Sequence, residues 1–116
     1  MTVVERLVPD VFWELFLQVV PERPVRAQGG GRRRHGDREV LAAIVYVVMT
    51  ECVWRDLPPS FGVSGTTAHR RFTEWSQAEV WGQLQHLTLE DPHRQGDVMW
   101  SRCAIGALRT RAAVVS

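Results

Sequence analysis

The stretch Cys52-Val53-Trp54-Arg55-Asp56-Leu57-Pro58-Pro59-Ser60-Phe61-Gly62-Val63-Ser64-Gly65, followed by Thr66-Thr67-Ala68-His69-Arg70-Arg71-Phe72-Thr73-Glu74-Trp75, decides how this chain folds. Pro58-Pro59 limits Trp54–Phe61 to about one helical turn, because proline lacks the N–H that a longer helix requires. Gly62 to Gly65 makes the turn, and Ser64 is placed to accept from the first free N–H groups of a following helix. That helix is expected from about Gly65 to Trp75. At 100° per residue, Ala68, Phe72 and Trp75 fall on one arc and must face a core. Thr66, Thr67, Arg70, Thr73 and Glu74 fall opposite, with His69 and Arg71 on the flanks.

A corner leading into a short amphipathic helix with arginine and threonine outward is the build of a helix-turn-helix DNA-binding unit. An outward arginine can contact guanine with two hydrogen bonds, while threonines suit phosphates or thymine methyls. Arg70 is the expected base reader. Thr66 and Thr67 lie at the helix N-terminus, where backbone N–H groups favour a phosphate. Thr73 and His69 complete the exposed surface. Arg71 is a further candidate contact, or it pairs with Asp56 or Glu74. The competing reading is a plain helical bundle whose outer face happens to carry these residues. In so tight a corner, Trp54 reads as a core anchor, with Arg55 and Asp56 holding the turn through local hydrogen bonds.

Working outward, Val11, Phe12, Leu15, Phe16, Val19 and Val20 recur at helical spacing after Pro9-Asp10, and Pro21 and Pro24 end that helix. Asp37 opens the next one. Its Val40–Met49 run is apolar on nearly every side, which suits the centre of a small bundle; β-branched content would also fit a buried strand, but no second strand lies nearby. Ser76-Gln77-Ala78-Glu79 has the spacing of a capping box and predicts a new helix there, with Val80, Trp81, Leu84 and Leu87 inward and Asp91-Pro92 as the stop.

With 116 residues and 45% hydrophobic content, the chain has room for one domain with a core, and a short tail. Its ten-residue apolar run falls well short of the roughly 20 needed to span a bilayer. The N-terminus lacks the features of a signal peptide, so a cytoplasmic, nucleoid-associated protein is expected. Cys52 and Cys103 form no CxxC pair and read as thiols. His35, His69, His86 and His93 show no ligand spacing, so neither a metal nor another cofactor is expected. Charge is uneven: residues 23–38 hold Arg23, Arg26, Arg32, Arg33, Arg34 and Arg38 against Asp37, while the remainder is acidic. Glycines and prolines fill residues 21–36, which makes Arg32, Arg33 and Arg34 either a phosphate-binding strap or part of a solvated loop.

Several spaced blocks resemble the DDE transposases of bacterial insertion sequences, in the group numbered four and five. They are Asp10-Val11-Phe12-Trp13-Glu14, Gly31-Arg32-Arg33-Arg34-His35, Arg38-Glu39-Val40-Leu41-Ala42-Ala43-Ile44, Cys52 to Pro58, Arg70 to Trp75, Trp81 with Leu84, and Trp100-Ser101-Arg102-Cys103-Ala104-Ile105. The resemblance implies an N-terminal helical domain that binds the terminal inverted repeats of the element. It also implies an RNase H-like catalytic domain beyond it, in which two aspartates and a glutamate hold two divalent metal ions. By this resemblance, Trp100–Ile105 corresponds to the first strand of that domain, and Gly106 stands where the first catalytic aspartate would be.

The expected fold is all-α: a small helical bundle with a helix-turn-helix over residues 1–91, then an extended or disordered tail over 92–116 that adds little stability. The expected function is that of a DNA-binding transposase fragment that recognises element ends in double-stranded DNA and regulates transposition. By the same resemblance it is not an enzyme as it stands, since the catalytic acids are missing, and divalent metal is expected only in the full-length family enzyme. Self-association is compatible with this role. Two alternatives stay open: the upstream frame of an active transposase completed by frameshifting, and a helical interaction module or decayed gene product with no DNA role.

Overall fold

The computed structural model describes residues 2–21, 36–89 and 97–115. Among these residues six α-helices follow in order: α1 (Val3–Leu7), α2 (Asp10–Val19), α3 (Asp37–Thr50), α4 (Gly65–Gln77), α5 (Val80–Leu89) and α6 (Asp97–Val115). Among the described residues there is no strand. The all-α expectation holds.

α3 lies at the centre, as its all-round apolar sequence requires. Val40 to Val45, Val47 and Val48 are buried, and the helix packs against α1, α4 and α6. Glu39 caps its start by accepting from the Gly36 N–H at 2.9 Å. Its end turns at Glu51, a non-glycine residue at φ 60°. α2 lies across α5 and α6. Phe16 meets Trp75 edge-on with ring centroids 4.8 Å apart, which locks α2 onto α4. Arg38, counted with the basic segment in the sequence, serves the fold instead. Its guanidinium donates to the Val8 carbonyl at 2.7 Å and to Asp10 at 2.9 Å.

The tail is where expectation and structure part. Residues 97–115 form a nineteen-residue helix, neither extended nor detached. Ser101, Ala104, Ile105 and Leu108 are fully buried against the core formed by the other helices. Trp100 donates its indole N–H to the Leu7 carbonyl at 2.9 Å, and Arg102 donates to the Thr88 carbonyl at 2.8 Å. The physical reason is visible in the spacing: residues 101, 104, 105 and 108 repeat at helical period, so one face meets the bundle. A strand here rests on resemblance alone, and no neighbouring strand among the described residues exists to pair with it.

Gly106 therefore sits mid-helix, and a Cβ built on it meets nothing within 4 Å. Glycine in a helix interior costs roughly 0.5–1 kcal/mol relative to alanine. Gly106→Ala should thus raise stability by about that amount, read as a shifted midpoint in urea unfolding with an unchanged slope. An unchanged or lowered midpoint would contradict the helical placement of this residue.

Two smaller differences concern capping. The box expected at Ser76 does not form. α4 continues to Gln77, Ala78 closes it, and Glu79 turns the chain at φ 63° before α5 begins. The Ser76 hydroxyl accepts from the Trp81 indole N–H at 2.9 Å instead, so the larger aromatic partner takes the oxygen. α1 has no counterpart in the sequence reading; Thr2 and Glu5 cap it reciprocally at 3.1 Å.

Candidate nucleic-acid interface

Two one-turn 3-10 helices, Trp54–Asp56 and Pro59–Phe61, build the corner before α4. Backbone bonds hold it: the Asp56 N–H donates to Val53 and the Leu57 N–H to Trp54. The side chains of Arg55 and Asp56 are exposed, and the backbone carries the turn without them, contrary to the sequence reading. Gly62 adopts φ +74°, the left-handed conformation that glycine takes without strain. Ser64 then caps α4, its hydroxyl accepting from the Thr67 N–H at 3.1 Å.

Gly65 fixes how closely the corner meets the helix. A Cβ there would stand 2.7 Å from the Trp54 carbonyl carbon and closer still to its oxygen. Only a residue without a side chain lets α4 start beneath this carbonyl. The close approach places the Trp54 ring over the first turns of α4. It stacks on His69 at 5.1 Å and tilts against Phe72 at 5.6 Å.

The inward face of α4 carries Ala68, Phe72 and Trp75, all buried. Outward lie Thr66, His69, Arg70 and Thr73, all exposed, while Thr67 is half-buried. The Thr67 hydroxyl accepts from Ser64 at 3.1 Å, and the Thr73 hydroxyl donates to the His69 carbonyl at 3.1 Å. Arg70 makes no ion pair with any described residue. Among the described residues nothing neutralises its charge.

Arg71, expected on the flank as either a contact or an ion-pair partner of Asp56 or Glu74, takes the second of these places. Only 8% of it is exposed. Its guanidinium stands 3.8 Å from Asp37 at the start of α3 and 3.9 Å from Glu74 one turn along. It pairs with Glu74, one of the two partners the sequence offers, and not with Asp56. At its angle on the helix, Arg71 borders the core arc, where the two carboxylates offset part of the cost of burying the cation, while its buried Nη1 makes no hydrogen bond with a described residue. So little of its surface is exposed that it stands apart from the outward residues of α4 as a contact. Arg32, Arg33 and Arg34 lie outside the described residues.

Sequence reasoning passes over two arginines on α6. Arg109 is exposed and donates to the Gln85 side-chain carbonyl. Arg111 lies 5.8 Å from the centroid of the Trp54 ring. With residues 92–116 read as a loose tail, nothing connects these side chains to α4. The signal is the helical spacing of the apolar residues around them. No group of three or more His, Cys, Asp or Glu side chains among the described residues could hold a metal ion.

The family described as "Putative transposase of IS4/5 family (DUF4096)" matches residues 8–85, which take in α2, α3, the whole corner, α4 and the first part of α5. The chain belongs to that family. The uncharacterized 16.2 kDa protein of insertion element IS402 from Burkholderia cepacia is 33% identical to it over 108 residues. The match covers 91% of this chain and 74% of that relative. No solved structure matches. Within this IS4/5 family member, the matched segment stops short of α6, whereas the bundle includes it. No helix among its described residues is long and apolar enough to cross a membrane.

Proposed function

We propose that this transposase-family chain binds double-stranded DNA through the outer face of α4, as the second helix of a helix-turn-helix formed by α3, the corner and α4. One observation carries the reading. α4 is held rigidly by Ala68, Phe72 and Trp75 while presenting Arg70, uncompensated by any described acid, between Thr66 and Thr73. A rigid helix with such a face can enter the major groove and put a planar guanidinium against a base edge. Thr66 and Thr67, at the helix start, are suited to a phosphate. His69 is braced by Trp54 on the flank. Membership of an insertion-element family makes the ends of such an element the natural target, and occupation of those ends would limit access by a full-length enzyme.

The arginine-rich segment at Arg32, Arg33 and Arg34 extends the proposal as a strap on backbone phosphates. Base reading and phosphate gripping fail differently when removed. Duplexes selected from a randomised pool supply the preferred sequence. Arg70→Ala should weaken binding to it by about 1–3 kcal/mol and flatten the preference at one base pair. Replacing the three arginines by glutamine should weaken binding to every sequence alike. It should also lower the slope of log K against log salt by roughly 0.9 for each phosphate that is no longer neutralised. Selection that yields no enriched sequence, with Arg70→Ala indistinguishable from the parent, would mean that the outer face of α4 is a solvated surface.

A further inference from the structure

We propose that the DNA contact surface continues from α4 onto the C-terminal half of α6, where Arg109 and Arg111 take backbone phosphates beside the site read by Arg70. The inference rests on the α4 reading and adds two residues from a helix that lies outside the family match.

Three observations join α6 to the outer face. The rings of His69 and Trp54 stack at 5.1 Å, and the Arg111 guanidinium lies 5.8 Å from the same Trp54 ring. A continuous layer thus runs from the flank of α4 to α6. Arg109 and the outward Thr73 of α4 line one open cleft of about 560 Å³, with Ser76, Gln77 and Glu79. Neither arginine makes an ion pair with a described residue, although Glu79 borders the same cleft. Cations without an ion-pair partner among the described residues attract a polyanion.

The side chains are also braced in ways that suit phosphate. A guanidinium held against an aromatic ring is oriented by it and still has N–H donors at its edge for a bidentate acceptor. Arg109 is oriented by the neutral Gln85 amide, which fixes its direction without cancelling its charge. Arg38 and Arg71, which serve the fold, are each set against carboxylates, whereas no described carboxylate lies within ion-pair distance of Arg109 or Arg111.

Mixed-sequence duplex DNA tests the proposal, because phosphate contacts are independent of sequence. Binding is measured across a salt series for the parent, Arg109→Gln/Arg111→Gln and Arg109→Lys/Arg111→Lys, with thermal melting of each as a check on folding. The glutamine pair should lower the salt slope by roughly 0.9 per phosphate, about 1.8 in all, and the lysine pair should restore it. If the glutamine pair does not fold, Arg109→Gln alone is read, since that side chain is exposed; a slope lower by about 0.9 supports the proposal. An unchanged slope in a folded glutamine variant overturns it while leaving Arg70 and α4 untouched. Absence of salt-dependent binding by the parent overturns both readings together.

Discussion

Removing residues 97–115 should abolish cooperative unfolding altogether. Without α6 the bundle loses Ile105 and Leu108, both fully buried, together with Ala104 and Ser101. It also loses the partners of two carbonyls, at Leu7 and Thr88. α2, α3 and α5 all pack against this helix, so three apolar faces would open to water at once. Single large-to-small changes in such positions typically cost about 2–5 kcal/mol, and a small domain holds only about 5–15 kcal/mol in total. Leu108→Ala alone should therefore consume a large share of the stability. Circular dichroism during thermal unfolding is the measurement. A truncated chain that still melts in a sharp transition near the parent midpoint would show that α6 is dispensable, as the bare resemblance to a strand implies.

Gly65→Ala is the single substitution expected to do most harm outside the core. Its methyl group would collide with backbone, the Trp54 carbonyl, not with a side chain that could swing away. Overpacking typically costs about 1–3 kcal/mol, and an immovable neighbour puts this site at about 3 kcal/mol or above. Relief requires the corner to lift off α4, which would part Trp54 from His69 and Phe72. The change should thus appear twice: as a lowered unfolding midpoint, and as altered near-ultraviolet circular dichroism from the tryptophans even where the fold survives. A variant with parental stability and spectrum would place the corner farther from the helix than the structure has it.

Much of this fold is legible in the sequence because its elements obey local rules. The run Val40–Met49 reads as a central helix from its composition. The Ser64 cap and the Ala68, Phe72 and Trp75 arc define α4 almost to the residue. What stays hidden depends on tertiary partners. Ser76 has the right neighbours for a capping box, but Trp81, five positions away, claims its hydroxyl. Arg71 lies near the boundary between two faces, and one of the two carboxylates it meets, Asp37, is far away in sequence. Residues 101–108 carry a helical period throughout. A likeness to the opening strand of another domain masks it, and with that reading Arg109 and Arg111 drop out of view. The outer face of α4 follows from spacing alone, whereas its extension onto α6 depends on how the two helices sit in space.

The bond from Trp100 to the Leu7 carbonyl joins helices at the two ends of the described chain, 93 residues apart in sequence. During synthesis this closure comes last. α1 to α5 are made before Ile105 and Leu108, so their apolar faces wait for a lid that does not yet exist. At about 5–20 residues per second, the interval between Leu84 and Leu108 lasts on the order of 1–5 s, long compared with helix formation or collapse. A ribosome that stalled or changed frame within that interval would release an open, adhesive bundle instead of a shorter binding protein. A closed bundle and an open one thus differ in how readily proteases reach their apolar faces.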